Sequence, residues 1–224
     1  MTSRLNPLMT RKTSKPALRL TPYAWAKLLF LRDIGPTEVG AFAQSDSNDL
    51  LLIQDIHLVK QQATAVTVSF LDAAVADYFD AMVDRGLTPE MGGRIWVHTH
   101  PGHSPEPSCT DEATFSRCFG PSDWAVMFIL ARGGQTYARL RFRAGPGGDI
   151  LLPVEICYQQ AFPGSDPLTW YEEYQRCVEE LPAFHQWERI AIPSHLKLIQ
   201  MTEEEWNEQE EPITTERELS YEYV

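Results

Sequence analysis

The chain contains 224 residues, of which 31 are acidic and 19 are basic, so its formal net charge is -12. This excess of acid argues against nucleic acid as the main partner, because phosphate binding depends on clusters of Lys and Arg. Hydrophobic residues make up 43% of the chain, which excludes disorder throughout and suits one domain of ordinary size with appendages.

The sequence also argues against membrane and secreted proteins. The longest apolar run, Ala125 to Ala131, is far shorter than the roughly 20 residues of a membrane-spanning helix. Residues 1–12 are polar and lack the apolar core of a secretory signal. The 4 cysteines form no CxxC pair and are too few for a disulfide scaffold, so we expect free thiols. These features predict a cytoplasmic protein without membrane contact.

Charge divides the chain into a middle and two ends. Residues 1–19 carry five basic side chains and no acid, whereas residues 202–224 carry nine Glu and one Arg. Blocks of like charge repel and bury little surface, so both ends are expected to be solvated. We predict a basic disordered leader over residues 1–17 and an acidic tail over residues 201–224.

The first part of the middle predicts a helix, three strands and a second helix. Thr21-Pro22 is typical of a helix start, and this helix is expected to end near Asp33, before Gly35-Pro36. Alternating apolar residues and turns predict three strands, at residues 38–43, 50–60 and 65–70. The second helix has one apolar face and Gly86 at its C-terminal cap.

The later part predicts a strand, a short helix, a hairpin and a last helix. The strands are expected at residues 94–99, 124–131, 136–143 and 150–158. The short helix begins at Ser108 or Thr110 and ends near Gly120, and Asp166-Pro167 begins the last one. Four residues at helical spacing are expected to form the apolar face of that last helix: Leu168, Tyr171, Tyr174 and Val178. This order of elements predicts an α/β fold, a mixed β-sheet flanked by helices.

Two histidines, His98 and His100, lie in the predicted strand at residues 94–99 and directly after it. Side chains alternate between the faces of a strand, so both imidazoles point to the same side as Trp96. Asp111 lies in the first turn of the following helix, from which its carboxylate can return to the same point. Two imidazoles and one carboxylate are a typical catalytic zinc ligand set, which leaves a fourth position for water.

Each of these residues also has a plainer interpretation. A histidine in a strand is more often a surface or core residue than a ligand, and Ser108-x-x-Asp111 matches a capping box. Non-haem iron sites also use two His and one carboxylate, but here the acid lies downstream on a helix. A cytidine-deaminase zinc site needs Pro-Cys-x-x-Cys, which the chain lacks. The shared face of the two histidines and the nearby acid together favour a metal site, and His103 is interpreted as a loop residue.

The spacing His98-x-His100-Pro101, followed by Ser108-x-x-Asp111, resembles the JAMM motif of the JAB/MPN+ zinc metallopeptidases. The resemblance in the order of elements covers about residues 18–145. It implies a three-layer JAB/MPN architecture, similar to that of cytidine deaminases, in a metallopeptidase domain at residues 18–160. Residues 161–200 are then a C-terminal helical extension.

The resemblance implies a zinc-dependent peptidase or isopeptidase that cleaves after the C-terminus of a ubiquitin-like protein. His98, His100 and Asp111 match the Zn2+ ligands of the family, and Ser108 matches the residue that hydrogen-bonds the developing oxyanion. The family also has a Glu followed closely by Gly, for which Glu38-Val39-Gly40 is the best match. Glu38 is thereby implied as the general base that activates water together with zinc.

The short form of the motif implies a compact prokaryotic, deubiquitinase-like member of the family. Such members are often encoded beside ubiquitin-like, E1-like and E2-like proteins, sometimes in antiviral defence operons. The implied partners are therefore a ubiquitin-like protein and its conjugates, with E1-like and E2-like proteins of the same pathway.

Several alternatives stay open in the sequence. Asp55 is the rival general base, and Trp96 either lines the substrate channel or packs in the core. Arg139, Arg141 and Arg143 form a stripe that either docks an acidic partner or is a solvated strand face. A non-catalytic MPN scaffold is the alternative function, although such scaffolds usually lack part of the ligand set and here every motif position is filled.

Overall fold

The computed structural model of the protein describes residues 15–182. Residues 1–14, residues 183–200 of the predicted extension and the predicted acidic tail lie outside this range. The helices are α1 Pro22–Asp33, α2 Asp72–Asp84, α3 Pro89–Gly92, α4 Cys109–Phe119 and α5 Pro167–Cys177. The strands are β1 Leu18–Leu20, β2 Gly40–Asp46, β3 Asp49–Leu58, β4 Gln61–Ala63, β5 Val68–Phe70, β6 Ile95–His100, β7 Trp124–Ala131, β8 Thr136–Phe142, β9 Gly148–Leu151, β10 Val154–Ile156 and β11 Val178–Glu180.

Three helices begin at the capping residues that the sequence predicts. The Thr21 hydroxyl accepts a hydrogen bond from the backbone N–H of Ala24 at 3.2 Å, and Asp166 caps α5 in the same way. Ser108 is the N-cap of α4. A side chain that satisfies an otherwise free N–H group stabilises a helix start, which explains why these boundaries were readable. None of the helices in the described part of the chain has the length and apolar character needed to span a membrane.

The main sheet has eight strands in the order β10-β1-β3-β2-β6-β7-β8-β9. Strands β9 and β10 lie at its two opposite edges, although only Leu152 and Pro153 separate them in the chain. The sheet therefore curls until its edges approach each other. The single strand predicted at residues 150–158 is wrong, because Leu152 donates a hydrogen bond to Ala138 of β8, near one edge, while the Pro153 carbonyl accepts one from Leu18 of β1, near the other.

Both faces of this sheet are covered by helices, which confirms the predicted α/β class. Alternate residues of β6 and β7 point to opposite faces. On one face, Val97 and Phe128 pack with α1 and α5. On the other, Trp96 and Met127 pack with Phe115 of α4. All four cysteines are free, as predicted.

Two local predictions about strands and helices are wrong. The segment expected as one strand at residues 65–70 forms only β5, which joins β4 and β11 in a separate three-stranded sheet. On α5, Leu168 is 78% exposed. Trp170 faces inward instead, because its ring packs against Tyr23 and Phe30 of α1, with centroid distances of 5.5 and 5.6 Å. Leu168, two positions earlier on the helix, is thereby turned toward solvent.

Candidate metal centre

His98 and His100 lie on the central strand β6, between β2 and β7. Their side chains share the face of Trp96, as the sequence predicts. His98 is fully buried, and its ring stacks on that of Trp96 at a centroid distance of 4.4 Å. Trp96 is itself only 2% exposed and packs near Phe115 and Phe119, so it is a core residue rather than the wall of a channel.

Asp111 reaches the two histidines from the first turn of α4. Its Oδ2 accepts hydrogen bonds from the backbone N–H and the hydroxyl of Ser108, both at 2.7 Å, and the Ser108 oxygen accepts one from the Asp111 N–H at 3.2 Å. The capping-box interpretation is therefore correct, and it does not compete with a metal site. The cap fixes the carboxylate so that Oδ1 lies 3.4 Å from Nε2 of His98.

The three side chains offer one ligand atom each within 4.8 Å of one another. His98 Nε2 lies 3.4 Å from Asp111 Oδ1, and His100 Nε2 lies 3.7 Å from Asp111 Oδ2. Ligands placed tetrahedrally at 2.0–2.1 Å from one ion are about 3.3 Å apart. Both ring nitrogens of His98 and Nε2 of His100 are buried without a hydrogen-bond partner among residues 15–182. This group can hold a metal ion, which would satisfy one of the unpaired nitrogens of each histidine.

The pKa shifts of His98 and Asp111 suit metal ligands. Burial lowers the pKa of His98, which keeps that imidazole neutral. Burial opposes ionisation of Asp111, but the two imidazoles and the Ser108 hydroxyl outweigh it and lower the pKa of the carboxyl. Metal ions bind the deprotonated forms of both groups, so these two ligands need no further change in protonation.

His100 is oriented by a backbone contact. Its Nδ1 lies 2.9 Å from the carbonyl oxygen of Ser104 in the loop that follows β6. An N–H donated to this carbonyl leaves Nε2 free to face the group, which is the usual arrangement of a metal-ligating histidine. Burial lowers the pKa of His100, but Asp111, the Ser104 carbonyl and Glu38 outweigh burial and raise it overall. His103, in the same loop, is exposed and only approaches the Arg132 carbonyl, as predicted for a loop residue.

Glu38 lies beside the histidines but not where the predicted strand placed it. It precedes β2 by two residues instead of opening the strand. The side chain is buried, Oε1 lies 3.8 Å from Nε2 of His100, and Oε2 has no hydrogen-bond partner within the described residues. Burial raises the pKa of Glu38 to about 7; the neighbouring His100 acts against this rise, and Asp111 adds a smaller increase. A carboxyl with this pKa can accept and return a proton near neutral pH.

The backbone around Glu38 is held from two directions. Its own N–H donates to the Thr64 carbonyl at 2.8 Å. The next residue, Val39, exchanges two hydrogen bonds with Thr99, one to the threonine hydroxyl at 3.0 Å and one from the threonine N–H at 2.9 Å. The Thr99 side chain points to the face of β6 opposite to that of His98 and His100, and the two hydrogen bonds between Thr99 and Val39 hold the segment that carries Glu38. The sequence alone does not reveal this role, because a threonine between two histidines carries no signal for a contact so distant in the chain.

Gly40 makes room for this arrangement. The Gln61 side-chain amide pairs with both the N–H and the carbonyl of Gly40, each at 2.7 Å, as a neighbouring strand would. A Cβ on Gly40 would lie 2.7 Å from Cε1 of Phe70 and 2.9 Å from Cγ2 of Val68. The glycine that follows Glu38 is therefore required by the close approach of β5.

We expect Gly40→Ala to lower the free energy of unfolding by about 1–3 kcal/mol, the usual cost of overpacking a filled site. Urea denaturation of the two proteins measures the difference. Gly102→Ala is the matched control, because a Cβ at Gly102 meets nothing within 4 Å. Equal unfolding midpoints for wild type and Gly40→Ala would contradict the steric argument.

Asp55, the rival carboxylate, lies elsewhere. Its Oδ1 is 3.3 Å from Nζ of the buried Lys27, which also contacts Glu173 at 2.7 Å. These residues link α1, β3 and α5. Asp55 is therefore part of an ion-pair network away from the metal cluster, and the structure favours Glu38 over it.

The arginine stripe on β8 is engaged within the protein. Arg139 donates two hydrogen bonds to the Glu112 carboxylate, both at 2.7 Å, and its guanidinium lies over the Phe115 ring. Arg141 donates to Asp149 at 3.1 Å. Arg139 is therefore not a solvated side chain, and it ties β8 to the turn of α4 that presents Asp111. The sequence could not reveal this pairing, since charge alone does not indicate its partner.

The structure brings His98, His100, Asp111 and Glu38 to one point, at the end of β6. Ser108 adjoins them, but its hydroxyl donates to Asp111, so its contact with an oxyanion stays a prediction. No protein-family model matches this chain, and no curated protein matches it at a significant level. The site is therefore interpreted from its own geometry.

Proposed function

We propose that the protein is a zinc-dependent peptidase or isopeptidase that cleaves after the C-terminus of a ubiquitin-like protein, like the JAB/MPN+ enzymes whose motif it resembles. One observation carries the proposal. Three ligand atoms of His98, His100 and Asp111 lie within 4.8 Å of one another, next to the buried carboxylate of Glu38. A structural metal site needs no such carboxylate, and it usually has four protein ligands.

His98, His100 and Asp111 would hold the ion. Two nitrogen donors and one oxygen donor suit zinc and leave room for one further ligand. When bound, zinc acts as a Lewis acid that lowers the pKa of water to about 7 and polarises a carbonyl group. The buried position of these ligands keeps competing water out of most of the site.

Glu38 acts as the general base and then as the general acid. It takes a proton from the attacking water and delivers it to the nitrogen of the departing lysine or peptide. Its burial supports both steps, because a carboxylate in ordinary solvent would be too weak a base at neutral pH. The Thr64 and Thr99 hydrogen bonds hold its backbone in place for the transfer.

Ser108 supplies a donor to the developing oxyanion. Its hydroxyl hydrogen now points to Asp111 Oδ2, which also accepts the Ser108 backbone N–H at 2.7 Å. The hydroxyl can therefore turn toward the substrate while the backbone bond keeps Asp111 in place. Removal of one such donor commonly slows catalysis about 100-fold or more.

The test uses a ubiquitin-like protein that ends in Gly-Gly, fused to a reporter. We expect cleavage directly after Gly-Gly, identified by mass spectrometry, and about one zinc per chain by elemental analysis. Cleavage should stop with a chelator and return when zinc is added. A fusion ending in Ala-Ala is the substrate control, since it changes only the two residues before the cleaved bond.

The outcomes separate the candidate functions. Bound zinc without cleavage of any Gly-Gly fusion would favour the non-catalytic MPN scaffold. A protein that binds no zinc would overturn the metallopeptidase itself. A pull-down with E1-like and E2-like proteins tests the proposed pathway partners. The cytoplasmic location and a role in antiviral defence remain predictions.

A further inference from the structure

A cleft of about 350 Å³ lies on the same face of the main sheet as the metal centre. Phe42, Phe79 and Phe119 line it, with Val75 and Arg94. Phe42 pairs with Trp96 across the β2–β6 ladder. Trp96 is two residues before His98, so Phe42 lies about 7 Å along the strand from the metal ligands. The cleft is therefore a separate site.

Aromatic packing holds the cleft open and in shape. The Phe42 ring lies 5.6 Å from that of Phe79 and 6.3 Å from that of Phe119, between centroids. Phe79 can approach the chain closely because residue 93 is glycine, where a Cβ would lie 2.6 Å from Cε1 of Phe79. The three rings come from β2, α2 and α4, so their positions are fixed by the fold. Preformed apolar walls of this kind are typical of small-molecule sites.

Arg94 is the one cationic residue among those lining the cleft. Its Nε is buried without a hydrogen-bond partner among the described residues. The nearest carboxylate oxygen, on Glu90, lies 3.8 Å from Nη2, too far for a hydrogen bond. A guanidinium has five N–H donors and no acceptor. The terminal amino groups of Arg94, unlike its buried Nε, are the donors that can reach an anionic ligand in the cleft.

We propose that this cleft binds a small aromatic carboxylate. The ring of the ligand lies against the edges that the phenylalanine rings expose to the cleft, where edge-to-face contacts are favourable, and its carboxylate accepts hydrogen bonds from Arg94. The volume lies within the range of small-molecule sites, about 300–1,000 Å³. A single negative charge fits better than a phosphate, because Glu90 repels a dianion more strongly.

Calorimetric titration of the full chain with 4-phenylbutyrate tests the proposal. We expect saturable binding of one ligand per chain, and 4-phenylbutanol should bind about tenfold more weakly or worse, since it lacks the charge. Arg94→Met should weaken binding of the carboxylate by the same factor, and Arg94→Lys should recover part of the loss. Arg117→Met is the matched control, an exposed arginine of α4 outside the cleft, and should leave binding unchanged.

Two further variants define the site. Glu90→Gln should tighten binding, because it removes the competing carboxylate, and Val75→Trp should block it by filling the cleft. His100→Ala should bind 4-phenylbutyrate as wild type does, which distinguishes the cleft from the metal centre and keeps this test independent of the proposed function. Equal affinities for 4-phenylbutyrate and 4-phenylbutanol would overturn the proposal. So would binding of 4-phenylbutyrate that persists in both Arg94→Met and Val75→Trp, or loss of that binding in His100→Ala.

Discussion

Glu38→Gln is expected to reduce cleavage of the Gly-Gly fusion by about 10²–10⁴-fold, the usual contribution of a general base. The variant should keep its zinc, because Glu38 lies beside the three proposed ligands and is not one of them. Glutamine has nearly the same shape but accepts no proton at neutral pH. Initial rates and elemental analysis of the same preparation measure the two properties together.

Asp55→Asn is the matched control for this substitution. It also replaces a carboxylate by an amide, but at a residue that contacts Lys27 and lies away from His98 and His100. Its cleavage rate should stay near that of wild type. A fully active Glu38→Gln would remove Glu38 from the mechanism, and a variant that lost zinc as well would make Glu38 a ligand.

His100→Ala is expected to lose both zinc and cleavage. Only His98 and Asp111 would remain as ligands, and two protein ligands are fewer than catalytic zinc sites use. Cleavage should fall to the level of the chelated wild type. Zinc stabilises the folded state only where it binds, so added zinc should raise the melting temperature of wild type but not of the variant.

His103→Ala is the control for the loss of an imidazole. His103 lies in the neighbouring loop, is exposed and is not part of the cluster. This variant should retain zinc, cleavage and the thermal response. If His100→Ala retained stoichiometric zinc, the proposed ligand set would be wrong even if Glu38 proved essential.

The sequence was most informative where one local rule decides the structure. Helix starts at Thr21, Ser108 and Asp166 depend on a side chain and an N–H group three residues away. The shared face of His98 and His100 follows from strand alternation alone. The grouping of His98, His100 and Asp111 was therefore predictable from residues close in the chain, whereas Glu38, far from them in sequence, was implied only by the resemblance to a family motif.

Contacts between distant segments were not predictable in this way. Thr99 accepts a hydrogen bond from the Val39 N–H, and Arg139 donates to the Glu112 carboxylate. No motif spacing in the sequence indicates either pairing. The hydrophobic pattern at residues 150–158 is compatible with one strand. Only pairing with β8 and β1 shows that it is two. The prediction of the buried face of α5 was wrong for the same reason, since Trp170 is buried by packing against two aromatic rings of α1.

The curled sheet has a consequence for the order in which the protein folds. Strand β1 lies between β3 and β10, and Leu18 pairs with Val154, far along the chain. During synthesis β3 becomes available to β1 early, whereas β10 emerges only after the candidate metal ligands and the hairpin of β7 and β8. The sheet is therefore completed late, by a pairing of high sequence separation that is intrinsically slow. Until then β1 is an open edge of a sheet that lacks only β10, and the last pairing covers this edge.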